Sequence, residues 1–201
     1  MSRKLILIRH TTVEIATGLC YGQSEVRVSN TYPTELQDLL NNLTALQLCR
    51  EATCYTSSLQ RAKVLATDLH QKVCPNGKFV IVDALREINF GLWEMQPWEK
   101  LPTEQTQAWF ADYVNVAPPE GESFANLIER VRKFWEVTIA STPQDAILVA
   151  HAGVLRAILV VALGLPATLA FHFNFGYGSV SQLLQYPTHW QVDFLNKTKP
   201  Y

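Results

Sequence analysis

The sequence predicts an α/β protein: a three-layer α/β/α sandwich around a mainly parallel central sheet. Three observations lead there. Residues 5–8 and 146–150 are unbroken apolar runs rather than alternating ones, the pattern of strands buried on both faces. Strand-like runs alternate with stretches whose apolar residues recur every three or four positions, as layered α/β folds require. Both apolar runs also end alike, Arg9-His10-Thr11-Thr12 after the first and His151-Ala152-Gly153 after the second. The carboxyl ends of strands in an open parallel sheet form the ligand crevice, so both histidines are delivered to one edge.

Composition sets the outer bounds. The 201 residues are read as one domain, residues 1–201, long enough for a large core. A hydrophobic share of 48% with 17% charged residues excludes a disordered chain. The net charge of −1 gives no general attraction for nucleic acid or an anionic membrane. Cys20, Cys49, Cys54 and Cys74 contain no C-x-x-C pair and no zinc-ligand spacing; they read as reduced thiols of a cytoplasmic protein. The apolar stretch before Arg9 is too short for a signal peptide. The longest apolar run, residues 157–171, is broken by Gly164 and Pro166 and reads as a buried helix and turn, not a membrane span.

After the first strand, residues 11–30 lack periodicity and contain Gly18 and Gly22. A loop of about twenty residues is long for a compact domain and points to function; it starts at His10 and should wrap the crevice. Residues 35–48 place Leu36, Leu39, Leu40, Leu43 and Leu46 along one helical face. Residues 52–56 form a short strand, Ser57 or Ser58 caps a helix over 59–71, and Arg61 falls in its first turn, aimed with the free amides toward the strand end. Residues 79–82 are a strand, and 85–94 set charges beside aromatics and a glycine. A looser helix is expected over 103–115, with Trp98, Trp109 and Phe110 free to pack or to line a pocket. Residues 123–139 form an amphipathic helix, 146–150 a strand and 154–163 a helix. Residues 179–185 and 191–195 close the chain as a hairpin through 186–189.

Right-handed crossovers put the parallel strand ends on one edge, which gathers Arg9, His10, Arg61, Glu87 and His151. Two guanidiniums, two imidazoles and one carboxylate make a site for a dianion, because the planar forks of arginine match phosphate oxygens. No carboxylate-rich cluster calls for a metal, and no cofactor is needed.

Five motifs, Leu7-Ile8-Arg9-His10-Thr11, Ser57-Ser58-Leu59-Gln60-Arg61, residues 85–94, Gly121-Glu122-Ser123 and residues 149–156, stand in the order found in the histidine phosphatase superfamily, the phosphoglycerate mutase-like family. The sequence resembles that family over residues 5–156. The resemblance implies a phosphohistidine intermediate, with His10 as nucleophile, Glu87 as proton donor, and Arg9, Arg61 and His151 on the phosphate. A neutral imidazole can attack phosphorus and split one displacement into two. Nearby arginines disfavour imidazolium, and an anionic phosphate beside Glu87 favours the protonated carboxyl that can serve the leaving oxygen.

Two positions depart from the family pattern: Thr11 stands where glycine is usual, and Ala16 where an asparagine is usual. One phosphate contact is then missing or supplied elsewhere. The segment Gly18-Leu19-Cys20-Tyr21-Gly22-Gln23-Ser24-Glu25 resembles the corresponding loop of the alpha-ribazole-5′-phosphate phosphatase group of cobalamin biosynthesis, and adds Gln23 to the phosphate-binding set. Tyr21, Phe90, Trp93, Trp98 and Trp109 offer flat surface for a ring, although Trp93 is expected in the core. Residues 11–30 and 90–109 hold only Arg27 and Lys100 as cations, little to grip a second phosphate. The partner is thus a small-molecule phosphate; a homodimer is one arrangement open to the chain. A broad-specificity sugar-phosphate phosphatase, a phosphoglycerate mutase and an inactive phosphatase-like binding protein are the alternatives.

Overall fold

In the computed structural model, which describes residues 2–198, β1 (Arg3–Arg9) runs through the middle of a six-stranded sheet. Leu5 and Leu7 enter one core cluster, and Ile6 and Ile8 enter another on the opposite face. Two dry faces explain the absence of polar alternation. All four side chains are fully buried, each worth about 1.5–3 kcal/mol of transfer free energy.

Further strands are β2 (Thr53–Thr56), β3 (Phe79–Ile81), β4 (Ala146–Ala150), β5 (Val180–Gln185) and β6 (Trp190–Lys197). Their spatial order is β3-β2-β4-β1-β5-β6. β3, β2, β4 and β1 are parallel; β5 runs antiparallel to β1, and β6 antiparallel to β5. The sheet is mainly parallel with an antiparallel margin, and the C-terminal hairpin supplies that margin instead of standing apart.

The helices are α1 (Tyr32–Thr44), α2 (Gln60–Val73), α3 (Thr103–Ala111), α4 (Phe124–Phe134) and α5 (Ala152–Leu163). Leu39 and Leu43 of α1 pack with Ala62, Leu65 and Leu69 of α2 on the face of Ile6 and Ile8. Residues of α4 and α5 cover the face of Leu5 and Leu7. This is the three-layer arrangement read from the sequence.

Some boundaries move for local reasons. α1 begins at Tyr32, with Pro33 in its first turn, where a missing N–H costs nothing. It ends at Thr44, short of Leu48. α3 stops at Ala111 rather than continuing to Asn115, where Asp112 takes the Asn115 amide in a turn. α4 starts from a capping box between Ser123 and Asn126 and runs on through a π-helical turn, Trp135–Ile139, so that helix has the predicted extent. The loop over 11–30 is pinned by bridges from Val13 to Val28 and from Leu19 to Pro97.

Register aligns the strand ends. Val149 of β4 pairs with Ile8 of β1 on one side and with Thr56 of β2 on the other. Residues just beyond that level, His10, Ser57 and His151, therefore emerge side by side at one edge.

Candidate active site

His10 is tied at both backbone ends: its amide donates to Ala150 O (3.0 Å), and its carbonyl accepts from Gly178 N (3.1 Å). Its Nδ1 lies 2.8 Å from Thr11 O. A carbonyl only accepts, so Nδ1 carries the proton and Nε2 keeps its lone pair. Burial pushes the His10 pKa well below the usual imidazole value, and the charges of Arg61 and Arg9 add to this. Burial also lowers His151 far below that value, with His10 and the two arginines contributing. The two rings meet edge-on, with centroids 5.0 Å apart.

Ser57 departs from the capping role expected of it. Its Oγ lies 2.9 Å from His151 Nε2 and accepts from Leu59 N (3.2 Å), one residue ahead of α2. The helix N-cap is Leu59, which has no side-chain oxygen to give. The carboxylate of Glu25 accepts from Gln60 N instead (3.0 Å). Ser58 donates to Asp83.

Arg61 is fully buried, with Nη1 donating to Ser24 O (2.8 Å) and Nη2 to Gly22 O (2.6 Å). Arg9 Nη1 donates to Phe175 O (2.7 Å). Among the described residues neither guanidinium forms an ion pair. Carbonyls orient these cations, and the carboxylates of Glu87, Glu25 and Glu94 act on Arg61 only through space. Arg9 Nε, Arg61 Nε and His151 Nδ1 are buried without a hydrogen-bond partner in the protein. Unpaired buried polar groups are costly. Tyr177 lies under the Arg9 guanidinium at 3.8 Å and Tyr21 near that of Arg61 at 5.0 Å. Their hydroxyls, 2.7 Å apart, join the two sides.

The turn that grips Arg61 is itself held by Glu94. Its carboxylate accepts from Gln23 N (2.8 Å), Ser24 N (2.7 Å), Phe90 N (3.1 Å) and the Ser24 hydroxyl. A Cβ on Gly22 would lie 2.3 Å from Glu94 Oε1, so the close approach requires glycine.

Glu87 sits against the N-terminus of α5. Its Oε1 accepts from Ile88 N (2.9 Å) and its Oε2 from Gly153 N (3.1 Å). A Cβ on Gly153 would come within 2.4 Å of Oε1. The Glu87 carbonyl accepts from Gln23 Nε2 (2.9 Å) and Arg130 Nη2 (3.0 Å). The Gln23 side chain is thus brought to the backbone of Glu87. Ala16 is exposed, whereas Thr11 is fully buried beside His10, and its hydroxyl has no partner in the protein.

A cavity of about 540 Å³ opens from Glu87 and Gly153 and runs between aromatic side chains, among them Phe90, Trp98, Trp109 and Phe171. Arg9, His10, Arg61 and His151 are not on its walls; Glu87 is where the cavity adjoins them. Trp93 is buried in the core, as expected, and Tyr21 stands over Arg61 rather than in this cavity. Arg27 and Lys100 are the only cations of residues 11–30 and 90–109, but the cavity is lined from beyond those stretches as well, and Arg156 of α5 is among its lining residues. The signal was present, since Arg156 follows Gly153 by three positions and so shares its helix face. Glu94 and Arg156 lie within the motifs that carry the family resemblance, which assigns neither a role, and the contact of Ser57 with His151 has no local signal in the sequence. Tyr177 lies in a segment without periodicity or motif and offered no signal.

Among the described residues no group of three or more His, Cys, Asp or Glu side chains is placed to hold a metal ion, and no helix is long and apolar enough to cross a membrane. All four cysteines are free thiols.

Comparison with known proteins accords with this geometry. Residues 5–198 match the family described as the histidine phosphatase superfamily, branch 1. The adenosylcobalamin/alpha-ribazole phosphatase of Salmonella typhimurium is 30% identical over 81% of this chain and 86% of its own. The 2,3-bisphosphoglycerate-dependent phosphoglycerate mutase of Bartonella bacilliformis is also 30% identical, over 83% and 84%. The crystal structure of the alpha-ribazole phosphatase from Shigella flexneri superposes with a TM-score of 0.84 at 25% identity, covering 98% of both chains. With the family match running through every strand from β1 to β6, and with paired histidines and arginines at the strand ends, the chain belongs to the histidine phosphatase superfamily.

Proposed function

We propose that the chain is a phosphomonoesterase that works through a phosphohistidine, and that its substrate is alpha-ribazole 5′-phosphate. Family membership sets the class of chemistry as phosphate monoester chemistry; the residue roles and the substrate are the proposal. The observation that carries it is a fully buried Arg61 and a half-buried Arg9, neither in an ion pair, beside a histidine whose Nε2 is bare.

His10 Nε2 attacks phosphorus in line with the leaving oxygen. Arg9, Arg61, His151 and Gln23 hold the three other oxygens and stabilise their charge, the main catalytic demand of phosphoryl transfer. Glu87 gives a proton to the leaving oxygen as the P–O bond breaks. It then takes a proton from water, whose oxygen attacks the phosphohistidine, breaks the P–N bond and frees inorganic phosphate. The atoms balance as one water consumed, with one alcohol and one phosphate formed.

Substrate choice rests on the walls of the cavity and on the relatives named alpha-ribazole phosphatases. Glu87 and Arg156 are the cavity's charged lining residues, one of each sign, and the remainder is largely aromatic. A neutral ring suits such walls better than a second phosphate. A kinetic panel tests the reading. Alpha-ribazole 5′-phosphate should have a higher kcat/KM than 3-phosphoglycerate, fructose 2,6-bisphosphate or a phosphotyrosine peptide. A tenfold advantage for any of the others, about 1.4 kcal/mol of transition-state discrimination, overturns the substrate and leaves the phosphohistidine steps to be judged separately.

A further inference from the structure

Arg156 is not used by the steps above. Its Nε donates to Phe173 O (3.0 Å), and its guanidinium carbon lies 4.7 Å from the centre of the Phe171 ring. That anchorage fixes one edge of the fork. The two terminal nitrogens make no hydrogen bond or ion pair within the described residues, and the side chain stands on the same cavity wall as Glu87. Trp109 also lines the cavity, but its indole Nε1–H is buried away from the open space. The enclosure is therefore aromatic, with the Arg156 fork as its source of charged hydrogen-bond donors. A bare hydrocarbon leaving group would strip water from those donors and return nothing. A carboxylate or second phosphate held by Arg156 would lie in the same cavity as the anionic phosphate being transferred beside Glu87, and like charges repel. A neutral body carrying oxygen acceptors satisfies both constraints.

We propose that Arg156 is the specificity-determining residue of this site: its terminal N–H groups take neutral oxygen acceptors, such as sugar hydroxyls, near the ester oxygen, while the aromatic walls take the flat part of the leaving group. This rests on the phosphomonoesterase reading and names the device that selects its substrate.

The test uses alpha-ribazole 5′-phosphate, ribose 5-phosphate, 3-phosphoglycerate and phenyl phosphate with wild type, Arg156→Met and Arg156→Lys. Arg156→Met keeps a long apolar stem and removes the donors. Its kcat/KM should fall about 10- to 100-fold for the two ribose esters, chiefly through KM, and by less than about threefold for phenyl phosphate, since a hydrogen bond to a charged donor is lost only where an acceptor exists. Arg156→Lys, which retains one charged donor but not the fork, should lie between. Equal losses for phenyl phosphate and the ribose esters in both variants would mean that Arg156 merely braces Phe173, and would overturn the proposal. So would a loss greatest for 3-phosphoglycerate, because the acceptor would then be a carboxylate. Failure of the ribazole assignment shows in wild type alone, as a higher kcat/KM for another ester; ribose 5-phosphate against phenyl phosphate still decides the role of Arg156.

Discussion

At the end of the crevice proposed to take the phosphate, Arg61 is fully buried and bonded through both terminal nitrogens to the carbonyls of Gly22 and Ser24, in a turn that Glu94 holds through the amides of Gln23 and Ser24. At the end proposed to take the leaving group, Phe110 is 64% exposed and Phe171 46% exposed. There the rings of Phe90, Trp98, Trp109 and Phe110 meet mostly edge-on or tilted, at 5.1–6.3 Å between centroids. One end is fixed by directional bonds between groups distant in sequence; the other is shaped by apolar contact, which tolerates substitution. In the proposed reading the phosphohistidine chemistry belongs to the end where geometry is over-determined, and the choice of leaving group to the end where it is not.

Breaking the rigid end should have the largest effect. His10→Ala should abolish turnover of every phosphate ester, since the proposed covalent intermediate forms on His10 Nε2, while circular dichroism and thermal unfolding show an intact fold. Rapid quenching of wild type should trap an acid-labile, base-stable phosphoryl label on His10. Residual turnover of the alanine variant, or a label on serine or aspartate, would remove His10 from the nucleophile's place.

Glu87 joins the two ends, so its variants should separate chemistry from binding. Glu87→Gln should lower kcat by about 10²–10⁴ for alkyl phosphates, the usual worth of a positioned general acid, and far less for para-nitrophenyl phosphate. Gly153→Ala should give a smaller effect of the same kind, because the added Cβ displaces the Glu87 carboxylate by way of the 2.4 Å contact with Oε1. A similar loss for good and poor leaving groups in both variants would make Glu87 structural.

How much of each end was legible follows from how far apart its partners are in sequence. β1 and β4 could be read because strands buried on both faces are apolar throughout. Arg61 could be placed because a short strand and a helix start fix its position within a few residues. Neither Ser57 nor Ser58 caps α2 as their position suggests, because Ser57 meets His151, 94 residues away, and Ser58 meets Asp83. Glu94 was named in a motif but not understood, since the amides it holds lie some 70 residues earlier. At the leaving-group end the aromatics were visible, yet which ones line the cavity depends on how α3 packs near Phe171, and no periodicity records that.

The smallest expected effect concerns stability and belongs to the rigid end alone. His10 and His151 are fully buried, and burial with the neighbouring arginines holds both pKa values well below 6.5. In the unfolded chain the same residues titrate near 6.5. Below that pH the unfolded chain binds protons that the folded chain refuses, so stability falls as pH falls; above it both states are neutral and the dependence vanishes. Each histidine contributes a slope of up to about 1.4 kcal/mol per pH unit between 6.5 and its folded pKa. Urea unfolding at pH 8, 7, 6 and 5 measures this. Wild type should be flat from pH 8 to 7 and lose stability steeply toward pH 5, beyond what its carboxylates supply. The double variant His10→Asn with His151→Asn should flatten that limb, whereas Trp98→Phe, a change in the cavity walls, should keep it. Equal slopes in wild type and the double variant would show that these imidazoles accept protons in the folded state, and the neutral nucleophile at the phosphate end would then lose its physical basis.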